Sequence, residues 1–342
     1  MRLLAMTELP KIATKRNQHQ AMRIICLCLF SLIVALPAAA EPVCAARTEA
    51  APALERLQGA MAEGRFIAYQ PTDLKVWDGN PTRASEASIR DDLAALRPWF
   101  DGLITYGAHS GGELVPAIAK ELGFRAVIIG VWDPADEAEV ANALAAWAEA
   151  PEIVVGLSLG NEMVFGGRGT WTDYARAIKT FRKDAPDLPL TITEPFAIFL
   201  DEAEAASVLR ELDFLAANIH PVFEPWFAEA PAFNRAEFVV KAGERLAAEA
   251  FCGPILVKET GIPTAPAEKG FSPDAQKDFY AELARQLAPS RLIAFAYFSA
   301  FDAPWRAYDE TPVPGAHPEE AHWGLFTETR APKPVLEAVP KL

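Results

Sequence analysis

The chain has 342 residues, of which 51% are hydrophobic and 23% are charged. This is enough apolar material for one large core or two small ones, and it excludes intrinsic disorder. The formal net charge of -14 argues against nucleic acid or an anionic membrane as a partner, because both surfaces are negative and would repel the protein. A neutral or cationic ligand is expected instead.

Residues 1–40 have the pattern of a secretory signal peptide. Four basic residues precede an apolar run: Lys11, Lys15, Arg16 and Arg23. The run, Ile24–Leu36, is followed by Ala38–Ala40, the small-residue pattern that a signal peptidase recognises. Because a membrane span needs about 20 apolar residues, cleavage near Ala40 is favoured over a permanent anchor. We expect a secreted or periplasmic protein with no stable membrane anchor.

Cleavage would remove Cys26 and Cys28 and leave Cys44 and Cys252 in the mature chain. In an oxidising compartment these two cysteines can pair, and two separate thiols are the alternative. Residues 41–64 are assigned to an N-terminal segment that precedes the repeated pattern described next.

Residues 65–342 alternate between short β-rich runs and helical patterns. The β-rich runs are Phe66–Gln70, Leu103–Gly107, Arg125–Trp132, Glu152–Gly160, Leu188–Glu194, Asp213–His220, Pro254–Glu259 and Leu292–Ala300. Most of them lack polar alternation, which is typical of parallel strands buried on both faces.

The helical patterns between the runs each carry one apolar stripe, which suits a helix lying against a sheet. Three of them have a predicted start. Ser88, with Asp91 three residues later, is predicted to cap the first. Thr170 with Asp173 is predicted to begin the second, and Ser272–Pro273 the third.

Eight strands that alternate with helices, without a linker long enough to separate domains, predict a single-domain α/β fold, the (β/α)8 TIM barrel, over residues 65–342. An open doubly wound sheet is the alternative. The first strand-to-helix turn, however, has no glycine-rich phosphate fingerprint, and no P-loop sequence occurs. A nucleotide-binding function is therefore not favoured.

In a barrel of this kind the active site lies at the carboxyl ends of the strands. Asn161 and Glu162 end the fourth run, and Glu259 ends the seventh, so both carboxylates are expected at the same mouth. A retaining glycosidase needs two carboxyl groups about 5–5.5 Å apart, one as acid and one as nucleophile. The alternative is that these glutamates merely meet water where their strands end.

The segments "LSLGNE" and, about a hundred residues later, "VKETGIPT" resemble the Asn-Glu and Glu-Thr-Gly-x-Pro motifs of glycoside hydrolase family 17. "DGLITYG", "NIHPVFEPW", "AYFSAFDAPWR" and "HWGLF" agree in order, so the similarity extends from about Phe66 to Phe326. The resemblance implies a retaining (β/α)8 enzyme that acts on β-1,3-glucan. It also implies that Glu162 is the general acid/base, Glu259 the nucleophile, and Asn161 the residue that bonds the sugar 2-hydroxyl.

These roles require unequal environments for the two carboxyl groups. Glu162 must hold a proton, so burial or a nearby carboxylate should raise its pKa, whereas Glu259 must stay ionised. Lys258 precedes Glu259, and a regular strand would point it to the opposite side. We therefore expect Lys258 to have no part in lowering the pKa of Glu259.

Sugar rings pack on aromatic side chains, and many aromatic residues lie at or beyond the predicted strand ends. They are Tyr69, Tyr106, Trp132, His220, Phe223, Trp226, Phe298, Trp305 and Trp323. About half should be ordinary packing residues, since aromatic rings are readily buried. Trp305 and Tyr106 are favoured for sugar contact. Glu194, which ends the fifth run, is predicted to bind a sugar hydroxyl or to hold Glu162 in place.

Two residues depart from the family pattern. His220 stands where many members have a tyrosine beside the nucleophile, and Ala303 where a related form has an acidic residue. His220 is predicted to contact the sugar or Glu259, with a structural histidine as the alternative. Linkage, chain-length preference and the balance of hydrolysis and transfer stay open.

No metal site and no cofactor are predicted. The histidines form no H-x-x-x-H pattern, and Cys44 and Cys252 are far apart in the sequence. The predicted partner is a β-glucan polysaccharide or oligosaccharide, and the protein is expected to be a monomer. The alternatives to a glucan hydrolase are a β-1,3-glucanosyltransferase of the same fold and a glycan-binding barrel without catalysis.

Overall fold

Eight parallel strands close into a barrel in the computed structural model, which describes residues 43–44, 49–77, 79–308 and 317–342. The strands are β1 (Phe66–Ala68), β2 (Gly102–Ile104), β3 (Ala126–Val131), β4 (Val154–Leu159), β5 (Leu190–Pro195), β6 (Leu215–Asn218), β7 (Ile255–Thr260) and β8 (Ile293–Tyr297). They pair in sequence order, and β8 closes the ring by pairing with β1. The predicted (β/α)8 barrel is confirmed, and the open-sheet alternative is wrong.

Each observed strand overlaps one of the β-rich runs. Every residue of β3 and of β4 is buried, because one face of each strand fills the barrel and the other lies under the helices. This explains why the runs lack polar alternation. The first three strands end earlier than their apolar runs do, so Tyr69, Tyr106 and Trp132 lie on the loops beyond them.

The α-helices of the described residues surround the barrel or close its end. They are α1 (Ala51–Glu63), α2 (Glu86–Leu96), α3 (Val115–Glu121), α4 (Glu137–Glu149), α5 (Trp171–Asp184), α6 (Phe196–Asp201), α7 (Ala205–Leu209), α8 (Ala232–Arg245) and α9 (Pro273–Gln286). None of these described helices is both long and apolar enough to cross a membrane.

Two of the three predicted helix starts are confirmed. Thr170 caps α5 in a reciprocal capping box with Asp173, and Ser272 caps α9, with Pro273 as its first residue. The prediction for Ser88 is wrong. The cap of α2 is Ser85, whose hydroxyl accepts a hydrogen bond from the Ser88 amide, so the helix begins three residues earlier and Ser88 lies in its first turn.

Helix α1 closes the amino end of the barrel. Its buried residues Leu57, Ala60 and Met61 belong to the same apolar cluster as Phe214 and Ala126, which lie at the amino ends of two barrel strands. The helix therefore covers the face opposite the carboxyl ends of the strands.

A short parallel pair of strands, Val43–Cys44 and Phe251–Cys252, lies outside the barrel, and its register sets residue 44 opposite Cys252. Cys252 is disulfide-bonded. The side chain of residue 44 and the predicted signal peptide, residues 1–40, lie outside the described residues.

A buried carboxylate on α2 connects this helix to the C-terminal segment of the chain. Asp92 of α2 accepts hydrogen bonds from the Tyr69 hydroxyl at 2.9 Å and from the Arg330 guanidinium at 2.8 Å. Arg330 also donates to the Ser88 carbonyl. This network fastens the segment after β8 to a helix 238 residues earlier in the chain.

Candidate active site

The turn after β4 presents Asn161 and Glu162 at the carboxyl end of the barrel. Gly160 has a φ of +72°, and a Cβ there would lie 2.3 Å from the sulfur of Met163, so only glycine fits. Glu162 itself has a φ of +52°, a conformation that is uncommon outside glycine and is found where a site holds a side chain in place. The Glu162 amide donates to the Thr193 carbonyl at 2.8 Å.

The carboxyl group of Glu162 is held in an environment that favours its neutral form. Its Oε1 accepts a hydrogen bond from the Asn218 side-chain amide at 2.8 Å. Burial and the charge of Glu259 raise the pKa of Glu162, and the Asn218 hydrogen bond and the charges of His220 and Lys258 oppose the rise without cancelling it. Glu162 is therefore suited to hold a proton, as a general acid must.

Glu259, near the end of β7, is surrounded by cationic and donor groups. Its carboxylate lies 3.4 Å from the Lys258 ammonium and 3.4 Å from His220 Nε2. Burial alone would raise the pKa of Glu259, but the charge of Lys258, the His220 hydrogen bond and the charge of Arg306 outweigh it and lower the pKa to about 2. Between a pH of about 2 and the raised pKa of Glu162, Glu259 is ionised while Glu162 is protonated, which is the inequality predicted from the sequence.

The expectation that Lys258 points away from Glu259 is wrong. Leu256 belongs to the cluster inside the barrel, and strand alternation places Lys258 on that same face. The pairing of β7 with β6 then shifts register between Val257 and Glu259, which ends the alternation, so that both side chains reach the mouth. Such irregularities commonly redirect side chains beside active sites.

Asn161 lies between two cations. Its side-chain Oδ1 accepts a hydrogen bond of 2.5 Å from the Lys258 ammonium, and its carbonyl accepts one from Arg168. The Arg168 guanidinium also lies 4.4 Å from the ring centre of Trp132. Trp132 is 41% exposed, so it offers an aromatic surface at the rim of the mouth, as predicted for a sugar platform.

Four of the predicted aromatic residues form the wall behind Glu259. The His220 ring makes edge contacts with Phe298 and with Trp323, at 5.6 and 5.3 Å between ring centres. Phe298 in turn makes an edge contact with Tyr106 at 6.5 Å. The buried Tyr106 hydroxyl and Glu259 Oε1 have no hydrogen-bond partner among the described residues. Burial and the charge of Glu259 raise the pKa of Tyr106, so the two groups lie close together at the buried end of this wall.

Two residues that were predicted to bind substrate are fully buried and bonded to other parts of the protein. Tyr69 is fully buried and its hydroxyl donates to Asp92, so it offers no surface to a sugar. Glu194 is also fully buried. It accepts hydrogen bonds from the Tyr174 hydroxyl and the Val164 amide, each at 2.8 Å, and its other oxygen accepts one from the Phe165 amide at 3.1 Å. Glu194 thus fixes the loop that follows Glu162, which is the alternative that the sequence left open.

A cavity of about 410 Å³ lies beside the wall, between the loops that follow β1 and β8. Its lining includes Gln70, Trp77, Tyr106, Ala303, Trp305 and Arg306. Trp305 is 9% exposed, so it presents little more than an edge to the cavity. The Arg306 guanidinium donates to the Gln70 side chain at 2.9 Å and lies 5.6 Å from the Trp305 ring centre.

Sequence reasoning missed Asn218, Arg306 and Glu320. Burial raises the pKa of Glu320, and the charges of Arg306 and His220 oppose that rise, which places a further carboxyl group at the mouth. Asn218 ends β6 directly before "IH", and strand-end position is the signal that could have found it. Glu320 lies on a 3-10 turn, Pro318–His322, and no strand pattern points to it.

The described residues contain no group of three or more histidine, cysteine or carboxylate side chains placed to hold a metal ion. The chemistry that the arrangement itself offers is acid–base and nucleophilic, through one carboxyl group that keeps its proton and one that is ionised beside it.

Comparison with protein families gives a match over residues 67–324 to the model described as the BtgE/BtgC glycoside hydrolase domain. A glucan 1,3-beta-glucosidase of Arthroderma benhamiae is 26% identical over 261 residues, which are 72% of this chain and 83% of that protein. The probable beta-glucosidase btgE of Aspergillus terreus is 26% identical over 259 residues, 71% of this chain and 43% of that longer protein.

Among solved structures, the fold resembles the glycoside hydrolase family 17 beta-1,3-glucanosyltransferase of Rhizomucor miehei, with a TM-score of 0.62 and 22% identity over 79% of this chain and 95% of that one. An active-site mutant of that transferase in complex with laminaritriose gives the same TM-score and identity, over 79% of this chain and 96% of that one.

Proposed function

The chain belongs to the BtgE/BtgC glycoside hydrolase family, and we propose that it hydrolyses β-1,3-glucan by a retaining, double-displacement mechanism. The family match confirms the family 17 resemblance drawn from the sequence. The observation that carries the proposal is the pair of glutamates at one barrel mouth, with the pKa of Glu162 raised and that of Glu259 lowered to about 2.

In the first step the Glu259 carboxylate attacks the anomeric carbon while Glu162 gives its proton to the departing glycosidic oxygen. The bond to the leaving sugar breaks, and a covalent glycosyl-enzyme ester forms. Glu162, now a carboxylate, removes a proton from water, which attacks the same carbon and releases Glu259. Two inversions give net retention of configuration.

The surrounding residues support these steps. The charges of Lys258 and Arg306 keep Glu259 ionised, and the Asn218 hydrogen bond orients the carboxyl group of Glu162. Asn161, Tyr106, His220 and Trp132 are proposed to contact the substrate. The choice of a β-1,3-linked glucan rests on the names of the relatives, a glucan 1,3-beta-glucosidase and a beta-1,3-glucanosyltransferase.

We also propose that the enzyme acts outside the cytoplasm. The basic and apolar pattern of residues 1–40 supports export. A disulfide at Cys252 is in keeping with an oxidising compartment. Fractionation of cells that produce the full chain, with N-terminal sequencing of the exported form, tests this proposal. An uncleaved chain in the cytoplasm would contradict it.

Incubation with laminari-oligosaccharides, followed by chromatography of the products, tests the activity. Shorter products are expected, and NMR of the first product formed should show the β-anomer, as retention requires. The control is Glu282→Gln, an exposed glutamate on α9 that pairs with Arg285 and should leave the rate unchanged. Longer products would indicate transfer instead, an α-anomer would overturn the retaining mechanism, and unchanged substrate that still binds would indicate a glycan-binding protein.

A further inference from the structure

Lys258 is a buried cation in the mouth that the mechanism above uses merely as a source of charge. Its side chain is 1% exposed. The ammonium lies 2.5 Å from Asn161 Oδ1, 3.4 Å from Glu259 Oε1 and 4.4 Å from the Tyr106 ring centre. One side chain thus contacts groups at the ends of β2, β4 and β7.

The contact with Asn161 has a chemical consequence. An ammonium group has hydrogens to donate and no acceptor, whereas a side-chain amide has one end of each kind. The amide oxygen of Asn161 must therefore face Lys258, and the NH₂ end points away from it. No described residue accepts a hydrogen bond from that NH₂ group, so it is the end that meets a ligand.

We propose that Lys258 is a positioning residue: it turns the donor end of the Asn161 amide toward a substrate hydroxyl oxygen and aligns the Glu259 carboxylate for attack. This inference rests on the proposed function. It assigns a task to a residue that a regular strand would point away from Glu259, and it makes the register shift after Val257 a requirement of the site.

The charged and titratable groups that face Glu259 and Lys258 come from five elements. Besides Lys258 itself on β7 they are Glu162 after β4, His220 after β6, Arg306 after β8 and Tyr106 after β2. Burial lowers the pKa of Lys258, and the charges of Glu259 and Glu162 oppose this. The charge of Lys258 does more to lower the pKa of Glu259 than His220 or Arg306 does.

The pH dependence of kcat/KM for Lys258→Met and Lys258→Gln tests the alignment of Glu259. Loss of a cation at this distance raises a carboxylate pKa by about one to three units, so the acid limb of the profile should move to higher pH by that amount. Lys258→Arg keeps a permanent charge and should keep the acid limb low. The control is Lys277→Met, which removes an exposed lysine of α9 paired with Glu337 and should leave the profile unchanged.

A double-mutant cycle tests the orientation of Asn161. In the wild-type background Asn161→Ala should lower kcat/KM by about tenfold or more, the usual effect of losing a well-aligned hydrogen bond to a reacting sugar. In the Lys258→Met background the amide is free to turn, so the same substitution should cost several-fold less.

The outcomes separate this inference from the proposed function. If wild type cleaves laminari-oligosaccharides and needs Glu259, but the acid limbs of Lys258→Met and Lys258→Gln coincide with that of wild type, the alignment role is wrong. Strictly additive effects of Asn161→Ala and Lys258→Met would overturn the orientation role. An inactive wild type, or full activity in Glu259→Gln, would instead overturn the proposed function.

Discussion

The carboxyl ends of β4 and β7 each present a buried glutamate to the same mouth, yet the two regions set opposite protonation states. Glu162 follows a turn in which its oxygen meets the neutral amide of Asn218. Glu259 follows a register shift that brings Lys258 beside it, within reach of His220. Burial favours the protonated form of both groups. The nearby charges then decide whether the pKa is raised, as for Glu162, or lowered, as for Glu259.

Burial alone does not make a carboxyl group a general acid. A buried carboxyl group close to another carboxylate keeps its proton, and an equally buried group beside an ammonium loses it. The chain achieves the difference with one residue before Glu259 and one local change of strand register.

Glu259→Gln removes the nucleophile and should lower kcat on laminari-oligosaccharides by on the order of 10⁴-fold or more. The fold should persist, because the amide is the size of the carboxylate and Lys258 still bonds Asn161. Activity is measured by product release, and folding by circular dichroism and thermal unfolding. A folded variant with more than a few per cent of wild-type activity contradicts the assignment of Glu259.

Glu162→Gln removes the proton donor and should cost about 10²–10⁴-fold on an oligosaccharide, the usual contribution of general acid catalysis. With a nitrophenyl β-glucoside the formation of the glycosyl-enzyme needs no proton donor, so that step should be nearly unaffected and a burst of nitrophenol is expected. Equal losses of this first step on both substrates would show that Glu162 is not the acid.

The pH profile of kcat/KM should fall on the alkaline side as Glu162 loses its proton, about tenfold per pH unit beyond its raised pKa. The acid side depends on Glu259, whose pKa of about 2 lets activity persist well below pH 4. The sign follows from the roles, since the active form has Glu162 protonated and Glu259 ionised. An acid limb near the usual carboxylate range would show that the cations around Glu259 act less strongly than the geometry indicates.

Glu194→Gln should lower kcat by roughly tenfold with little change in KM, because a small displacement of a catalytic group costs rate more than binding. The substituted amide turns a donor toward a backbone donor, the amide of Val164 or of Phe165, so the loop after Glu162 shifts. Tyr174→Phe, which removes one of the hydrogen bonds to Glu194, is the milder matched variant. A change in KM alone would instead favour direct sugar contact by Glu194.

Tyr69→Phe should have the smallest effect. It removes the hydroxyl that donates to Asp92 and should lower the free energy of unfolding by about 1 kcal/mol, with kcat and KM unchanged. Urea unfolding and steady-state kinetics measure the two quantities. A raised KM would mean that Tyr69 contacts substrate after all.

The barrel could be predicted from the sequence because parallel strands buried on both faces leave a continuous apolar signature, and most of the eight runs carry it. The two glutamates could be found for a related reason, since each interrupts such a run where it ends. The apolar runs and the glutamates that end them can each be recognised within a few consecutive residues.

What could not be predicted depends on contacts between distant segments. Tyr69 looks like a sugar platform until Asp92 is seen to accept its hydroxyl. Lys258 seemed excluded by strand alternation until the pairing partners of β7 revealed the shift. Glu320 lies on a turn without a periodic pattern, and its place at the mouth follows from how the loops after β8 fold back.

The Asp92–Arg330 pair has a consequence for the order in which the molecule matures. Asp92 is fully buried, and its cation comes from 238 residues further along the chain. A nascent polypeptide on the ribosome holds this carboxylate without its counter-charge until nearly all of the barrel has been synthesised. The late arrival of Arg330 therefore delays the final locking of the fold.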